Sequence, residues 1–390
     1  MIYSGVAGVL SFSDKIDITK ITSYMIDKLR HRGHAFPIYI GNKNDSYTYG
    51  ALIQFSLDFQ QDVFEKINLC GNKYAILDGK IFGHLSPASG PLCCLPIEQC
   101  MGYYVLVIYD DKTRRLEIYR DFLGRKPLYF GYCEDYIIFA SERKAFRNFV
   151  EPKRLEQGCK LIFERDGLSI ERFSTLEMPK ENQKFKDFEH CVNRLKELLY
   201  NSVSQLCTNE IAIMFSGGLD SSALAFIANK ICDVELFSIG LPESKDIKWV
   251  RRAGELLGLN VEVKTVRQSE LDYYLIRTIE AIEDVDPLKI LIGVPIFIVS
   301  EFIHDNGYSI AMAGQGADEL FGGYAKYLKM PPDELERALF DDVYNISIVN
   351  LERDDHISMA NSIDLRLPYL HDEVIKFALR LPTRFKIYNG

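Results

Sequence analysis

Residues 214–222 read MFSGGLDSS, and this stretch decides the fold of the second half of the chain. An apolar, strand-like run at 211–215 leads into the glycines, and a helix-like segment at 223–228 follows them. Gly217 and Gly218 allow a tight turn and a close approach of the backbone to an anion. The N–H groups at the start of a helix favour a phosphate in that position. The stretch therefore predicts a strand, a turn and a helix that together cradle a pyrophosphate.

Polar side chains complete this cradle. Hydroxyl donors come from Ser216, Ser221 and Ser222. The carboxylate of Asp220 can hold a magnesium ion that phosphate oxygens also contact. The Gly-x4-Gly-Lys-Ser/Thr spacing of a Walker A loop is absent. The loop instead resembles the Ser-Gly-Gly-x-Asp-Ser-Ser sequence of the ATP pyrophosphatases. That resemblance implies that ATP is split into AMP and pyrophosphate while a carboxylate or carbonyl group is activated.

The composition narrows the class of protein. A length of 390 residues predicts two or three domains. The net charge of −9 argues against a general nucleic-acid binder. No apolar run approaches the ~20 residues of a membrane span, so we predict no membrane segment. The first residues, MIYSGVAGVL, lack a basic segment ahead of their short apolar stretch and predict a first strand rather than a signal peptide.

The cysteines are the next feature. The chain has nine, at scattered spacings, which predicts a reducing, cytoplasmic location. Cys93, Cys94 and Cys100 lie close together in the sequence, with Cys70 upstream. No Cys-x2-Cys pair occurs, so a zinc site is not expected and buried free thiols are the default interpretation.

The pattern of elements changes along the chain. Up to about residue 175, short β-like runs separated by turns predict antiparallel hairpins, with one helix at 17–30. A polar segment with a proline, 176–188, predicts a linker. Helices and strands then alternate, with one helix predicted to begin at Pro295, and such alternation predicts a parallel sheet covered by helices. We expect two domains: an α+β domain over 1–178 and an α/β domain over 188–390.

A second glycine-rich motif follows the predicted strand 309–313. Residues 313–324 read AGQGADELFGGY. Asp318 and Glu319 offer oxygen ligands for a hard cation. Because ligands of parallel sheets bind at the carboxyl ends of the strands, we expect this turn and the first motif at the same edge.

These motifs resemble those of the asparagine synthetase family, which carries SGGLDSS and then SGxG(A/S)DExFxGY. Residues 355–370, DHISMANSIDLRLPYL, are similar to the family's DRxSMAxSxExRxPFL. In the first half, RHRG at 30–33 matches directly, DGKIF at 78–82 is similar to NGEIY, and RDFLGRKPLY at 120–129 is similar to RDxxGxxPLY. The resemblance thus extends over nearly the whole chain.

The resemblance implies an N-terminal αββα domain of the glutaminase type and a C-terminal domain that adenylates aspartate. Ammonia then attacks the β-aspartyl-AMP, which gives asparagine and AMP after the earlier release of pyrophosphate. The implied cofactors are ATP and Mg²⁺, with Asp220 and Asp318 as metal ligands. The implied ATP contacts are Ser216, Gly217, Gly218, Asp220, Ser221 and Ser222 for the pyrophosphate, and Ser238, Ile239 and the Gly314 backbone for adenosine. The family's Glu-x-x-Asp is matched by Glu283 and Asp286, the implied catalytic pair. Glu283 would orient the substrate or take the proton of the attacking amine.

Two departures from the family pattern bear on activity. Ser4 stands where the glutaminase has an N-terminal cysteine, Asp78 replaces the oxyanion-hole asparagine, and the glutamine-binding Gly-Ser-Asp is not seen near 86–91. We therefore predict that the first domain has no glutaminase activity. The family also continues beyond the Leu-Pro at 381–382 with a segment that carries a catalytic lysine. The present sequence ends at residue 390, and Lys289 and Lys326 are the alternatives for that cation.

Three functions remain open. The first is an AMP-forming amide ligase that joins a small carboxylate, aspartate first, to ammonia or an amine. The second is an intramolecular amide closure, as in the β-lactam synthetases, which resemble this architecture and have a dead glutaminase domain. The third is a non-catalytic nucleotide-binding relative. We expect neither nucleic acid nor membrane as a partner, and the oligomeric state is left open, with a homodimer as one option.

Overall fold

The computed structural model describes residues 2–41, 48–58, 69–82 and 91–387. The chain forms two compact units, Met1–Leu176 and Glu177–Gly390. The first unit consists mainly of antiparallel strands and the second of a parallel sheet with helices. The two-domain fold class predicted from the sequence, α+β followed by α/β, is thereby confirmed.

The described strands of the first unit form two layers. They are β1 (Tyr3–Ser11), β2 (His34–Ile40), β3 (Tyr49–Ser56), β4 (Leu69–Cys70), β5 (Lys73–Ile81), β6 (Gly102–Asp110), β7 (Arg115–Arg120), β8 (Tyr129–Cys133), β9 (Tyr136–Ala140), β10 (Lys153–Arg154), β11 (Cys159–Glu164) and β12 (Gly167–Arg172). One layer has the order β2-β3-β1-β9-β8-β10, and the other β4-β5-β6-β7-β11-β12. The layers join where Ser4 of β1 pairs with Asp78 of β5. This junction is where the sequence resemblance locates the glutaminase centre.

Strand β1 is buried along its whole length because it is covered on both faces. Side chains alternate across a strand. Val6 and Leu10 accordingly face the core between the two layers, whereas Ala7 and Val9 lie under helix α1 (Ile18–Leu29). On the outer face of the second layer, the helical turns Leu92–Cys94 and Ile97–Gln99 contribute to a third apolar cluster.

The second unit is built on one parallel sheet. Its strands are β13 (Glu210–Met214), β14 (Asp233–Gly240), β15 (Val261–Thr265), β16 (Ile310–Met312) and β17 (Asp364–Arg366), in the order β15-β14-β13-β16-β17. Its helices are α2 (Phe188–Leu206), α3 (Leu219–Ala228), α4 (Lys245–Leu257), α5 (Leu271–Ile282), α6 (Pro287–Asp305), α7 (Ala317–Phe321), α8 (Pro332–Ile346), α9 (Glu352–Ala360), α10 (Asp372–Leu379) and α11 (Thr383–Lys386). A π-helical turn, Ser347–Leu351, joins α8 to α9. Strand β16 follows β15 in the chain but lies on the other side of β13 in the sheet. The carboxyl ends of β13 and β16 are therefore neighbours.

Helix α6 corrects two sequence predictions. The helix predicted to begin at Pro295 begins at Pro287, because Asp286 caps it and a proline is tolerated in the first turn. Pro295 therefore lies inside the helix. At 19 residues and a mean hydropathy of 1.6, α6 is also long and apolar enough to span a membrane by length and composition, contrary to the statement that no such run exists. It packs against β14, α5 and α9, and 39% of its apolar window is buried.

Candidate active site

The loop after β13 is a compact turn held by its own serines. Gly217 has a left-handed backbone with φ of 71°, and Gly218 is the N-cap of α3. The Gly218 N–H donates to Ser216 Oγ at 3.2 Å, and Ser216 Oγ lies 3.1 Å from Ser221 Oγ. Ser222 is in the first turn of α3, where its N–H donates to the Gly218 carbonyl at 3.0 Å. The loop thus places backbone N–H groups and hydroxyls around one helix N-terminus, as an anion site requires.

Helix α4 holds this loop from the outside. The indole N–H of Trp249 donates to the Gly217 carbonyl at 3.0 Å. A Cβ on Gly217 would lie 3.1 Å from Trp249 Cδ1 and 3.2 Å from Val250 Cα. Both the left-handed φ and this close packing require glycine at position 217.

The second glycine-rich turn packs directly on the first. A Cβ on Gly314 would lie 3.1 Å from Asp220 Cβ and 3.4 Å from the Ser221 nitrogen. The Tyr369 hydroxyl donates to the Asp220 carbonyl at 3.1 Å and adds a further support. The structure therefore brings together two motifs that lie about a hundred residues apart in the sequence. This was expected, because both motifs follow the carboxyl ends of parallel strands.

Asp220 and Asp318 form an electrostatically coupled pair of carboxylates. Burial raises the pKa of Asp220, and the negative charge of Asp318 raises it further. Burial also raises the pKa of Asp318. Burial therefore disfavours the charged form of both carboxylates. Two hard oxygen donors in such a position fit a magnesium ion that also contacts phosphate oxygens. Glu319 is used differently, since its Oε1 accepts from the Tyr324 hydroxyl and the Asn350 side-chain amide, each at 2.7 Å.

A cavity of about 320 Å³ opens beside the two turns, at the carboxyl ends of the central strands. The described residues that line it are Met214, Phe215, Ser216, Phe237, Ser238, Ile239, Pro295, Ile296, Val299, Ala313, Gln315, Asp354 and Leu365. Apolar walls with a few polar groups are typical of small-molecule sites. Ser216, Ser238 and Ile239, three of the residues expected to contact ATP, are in this wall.

Gln315 and Asp354 are site residues that the sequence reasoning missed. The Gln315 side-chain amide donates to Asp354 Oδ2 at 2.8 Å, and Arg353 Nε donates to Asp354 Oδ1 at 2.8 Å. Burial raises the pKa of Asp354, and Arg353 and Gln315 counter that effect. The sequence feature connected with these residues is the run ERDDH at 352–356. It places five consecutive polar residues at the start of a helix, and the structure buries all five. Unpartnered charges are rarely buried, so such a run indicates a polar network.

The expected catalytic pair lies at the turn between α5 and α6. Glu283 is half-buried and has a left-handed backbone with φ of 53°, an uncommon conformation for a non-glycine residue that is often found at functional sites. Asp286 is exposed, and its carboxylate caps α6 by accepting from the backbone N–H of Leu288 at 2.8 Å and of Lys289 at 3.2 Å. The structure thus gives Asp286 a helix-capping role.

The two lysines considered for a catalytic cation are each paired with a carboxylate. Lys289 Nζ lies 2.9 Å from Asp284 Oδ2, at the same turn as Glu283. Lys326 Nζ lies 2.5 Å from Asp342 Oδ2, next to α8.

In the first unit, Ser4 and Asp78 lie within a fully buried polar cluster. The Ser4 hydroxyl donates to the Arg32 carbonyl, and Arg32 Nη1 donates to the Ser4 carbonyl at 2.8 Å. Asp78 accepts from the Ser141 hydroxyl at 3.0 Å and lies 3.6 Å from Arg32 Nη1 and 3.7 Å from Lys126 Nζ. At the place where a glutaminase would need a nucleophile and a hydrogen-bond donor, this chain has ion pairs. Residues 86–90 of the segment compared with Gly-Ser-Asp lie outside the described residues.

Glu142 extends this cluster. It pairs with Arg32, with His31 Nε2 at 2.7 Å and with Lys144 Nζ at 2.5 Å. Burial alone would raise the pKa of Glu142, but the three surrounding basic groups outweigh it and hold that pKa well below its usual range. Asp78 and Glu142, near the junction of β1 and β5, therefore each face basic side chains.

Comparison with known proteins agrees with this geometry. A family model described as asparagine synthase matches residues 194–332 and 329–390, and one described as a glutamine amidotransferase domain matches residues 89–173. The chain belongs to the asparagine synthase family. A putative glutamine-hydrolysing asparagine synthetase of Methanocaldococcus jannaschii is 35% identical over 75% of this chain and 58% of its own length. Asparagine synthetase B of Escherichia coli is 26% identical over 75% of this chain and 56% of its own length.

The match thus spans less than two thirds of each of these two relatives. Among solved structures, a glutamine phosphoribosylpyrophosphate amidotransferase from B. subtilis aligns over 80% of this chain and 81% of its own, with a TM-score of 0.33 and 15% identity. That likeness is too weak to support an argument about function.

Proposed function

We propose that this protein is an ATP-dependent amide ligase that forms AMP and pyrophosphate while it activates a small carboxylate, with aspartate as the first candidate. The observation that carries the proposal is the contact between the 216–222 loop and the Gly314 turn, which brings Asp220 under the influence of Asp318 beside an apolar cavity. A helix N-terminus, two partly buried carboxylates and an apolar cavity wall suit a nucleoside triphosphate with a divalent cation.

In this proposal different residues of the chain bind the phosphates, the adenosine and the metal ion. The loop N–H groups and the hydroxyls of Ser216, Ser221 and Ser222 bind the β- and γ-phosphates. Ser238 and Ile239 border the adenosine. Asp220 and Asp318 would hold Mg²⁺, which would supply positive charge beside the phosphates. The carboxylate of the substrate attacks the α-phosphorus of ATP. The pyrophosphate then departs, and the acyl-adenylate keeps the carbon that the amine will attack.

Glu283 is the residue that we propose to act on the amine. A carboxylate near the acyl-adenylate can orient the substrate or take the proton of the attacking nitrogen. Its left-handed backbone, held at the end of α5, is a conformation that the surrounding fold must impose. We propose a positioning role for Asp286, because its carboxylate fixes the start of α6 and hence the turn that carries Glu283.

For the nitrogen source we propose ammonia or an amine of the substrate, not glutamine. The support is the buried cluster around Ser4 and Asp78, in which the serine hydroxyl is bonded to a backbone carbonyl and the carboxylate is engaged by Arg32 and Lys126. A carboxylate cannot stabilise the oxyanion that glutamine hydrolysis generates. The free state of all nine cysteines is in keeping with a cytoplasmic location, which we also propose.

The test is exchange of labelled pyrophosphate into ATP with a panel of carboxylates, followed by amide formation with ammonia or with glutamine. We expect exchange with aspartate or a close analogue, amide formation with ammonia, and glutamate release no greater than that of the Ser4→Ala variant. Glu283→Gln should lower amide formation by about a hundredfold or more and leave ATP binding intact. A substrate that carries both carboxylate and amine and cyclises would favour the intramolecular ligase, and ATP binding without exchange for any carboxylate would contradict the ligase proposal.

A further inference from the structure

Three cysteines of the first unit converge at the edge of the second strand layer. The Sγ atoms of Cys70, Cys93 and Cys94 all lie within 4.8 Å of one another, and those of Cys70 and Cys94 are 3.5 Å apart. Within residues 2–41, 48–58, 69–82 and 91–387, this is the group of three or more potential metal ligands that the structure contains. It lies outside the nucleotide site and has no part in the proposed reaction.

The backbone around these thiols is anchored. Cys70 closes the short β4–β5 hairpin, in which it pairs with Lys73. Cys93 and Cys94 lie in a helical turn, and the Cys94 N–H donates to the Pro91 carbonyl at 3.1 Å. Leu92, immediately before them, is fully buried in the apolar cluster under this edge. The three sulfur atoms are therefore brought together by folded structure and not by adjacency in the sequence alone.

The separations suit coordination of one metal ion. With Zn–S bonds of about 2.3 Å in a tetrahedral site, thiolate sulfurs lie about 3.8 Å apart. The separation of 3.5 Å between the Cys70 and Cys94 sulfurs is close to that value, and no pair of the three sulfurs is more than 4.8 Å apart. Cys94 is exposed and Cys70 half-exposed, and a cavity of about 340 Å³ extends to Cys93. An ion has a route in, and a solvent molecule has room to complete the coordination.

We propose that Cys70, Cys93 and Cys94 form a three-thiolate site for one thiophilic metal cation of the zinc class, with a solvent molecule as the fourth ligand. The sequence did not suggest this site, because Cys-x2-Cys spacing is absent. The third thiol, that of Cys70, comes from the separate β4–β5 hairpin. Binding would tie the β4–β5 hairpin to the turn Leu92–Cys94 and so stabilise this edge of the first unit.

The test is a titration of the full-length, fully reduced protein with Zn²⁺ against a chromophoric chelator. We expect one tight zinc equivalent per chain, with release of thiol protons into a weak buffer. Cys94→Ser should weaken binding at least about tenfold. Because Cys94 is exposed, this variant should fold, which far-ultraviolet circular dichroism will verify. Cys133→Ser, at an exposed free cysteine on β8, is the matched control and should bind zinc as the wild type does.

Cobalt substitution gives a second readout. Co²⁺ bound by thiolates shows a sulfur-to-metal charge-transfer band, which should be present in wild type and in Cys133→Ser and reduced in Cys70→Ser and Cys94→Ser. Equal zinc affinity of wild type and Cys94→Ser, or a cobalt complex without the thiolate band, would overturn the proposal. Neither result depends on ligase activity, so failure here is distinct from failure of the proposed function.

Discussion

Replacement of Gly217 by alanine is the most direct test of the pyrophosphate loop. An L-residue at the left-handed φ of 71° costs about 1–2 kcal/mol. The new Cβ would also lie 3.1 Å from Trp249 Cδ1 and 3.2 Å from Val250 Cα. Trp249 is 61% exposed and can move, so this crowding adds at most about 1 kcal/mol, the low end for overpacking.

The consequence for ATP depends on where the strain is relieved. If the Gly217→Ala loop relaxes in the free protein, ATP must restore the native turn at a cost of about 1–3 kcal/mol of binding energy, which weakens affinity by about 5–150-fold. We would measure this by isothermal titration calorimetry with ATP and excess magnesium, and record the thermal midpoint of each variant in parallel.

Gly258→Ala is the matched control. Gly258 has a nearly identical φ of 68°, ends α4 in the same unit, and has nothing within 4 Å of an added Cβ. It should lose similar stability, about 2–8 °C in thermal midpoint, without any change in ATP affinity. Wild-type affinity in Gly217→Ala would refute the assignment of this loop to the phosphates. An equal affinity loss in Gly258→Ala would show that the effect is global.

Three further outcomes follow from the charges and the tryptophan. Asp318→Asn should weaken magnesium-dependent ATP binding and yet stabilise the ligand-free protein at neutral pH. The reason is that a carboxyl group whose pKa is raised by folding destabilises the folded protein once the pH is high enough to ionise it. In EDTA, the difference in thermal midpoint between the variant and wild type should therefore shrink in acid. A variant less stable than wild type at pH 7 would contradict this. Trp249 is the single tryptophan and bonds to the Gly217 carbonyl, so its fluorescence should change saturably with ATP and magnesium and stay constant in Asp220→Ala. Glu142→Gln should lower the free energy of unfolding by about 3–5 kcal/mol at pH 7 in urea titration, because it leaves Arg32 buried opposite a neutral group; a loss under about 1 kcal/mol would show that the ion pair contributes little.

The fold of the second unit was predictable because its signals are local or follow a general rule of topology. The glycines at 217 and 218 mark the turn, the strand and helix flank it in sequence, and parallel sheets collect such turns at one edge. Helix α6 shows the limit of local signals. Pro295 looked like a first-turn proline, but Pro287 already occupies that position behind the Asp286 cap, and a core helix accommodates the second proline.

Contacts between distant segments could not be predicted from the sequence. The hydrogen bond from Gln315 to Asp354 joins the turn after β16 to helix α9, and neither segment's sequence indicates that the two residues would meet. The thiol cluster is similar, since Cys70 and Cys94 are 24 residues apart and meet only because a hairpin and a turn lie at the same sheet edge. Spacing patterns for metal ligands rely on closely spaced pairs such as Cys-x2-Cys, and they do not detect thiols brought together from a hairpin and a distant turn.

The Asp220–Asp318 region of the second unit and the polar cluster around Ser4 in the first unit differ in how their carboxylates are compensated, and that difference supports the different roles proposed for the two units. In the second unit, burial raises the pKa values of Asp220 and Asp318, so their negative charge is unfavourable in the ligand-free fold and a bound cation would offset it. In the first unit, Asp78 and Glu142 are each surrounded by basic groups, and the low pKa of Glu142 shows that its charge is already satisfied. A site that must bind and release ligands keeps part of its electrostatic potential uncompensated, whereas a scaffold neutralises it internally. This contrast supports the proposals that the ligase chemistry belongs to the second unit and that the first unit has no glutaminase activity.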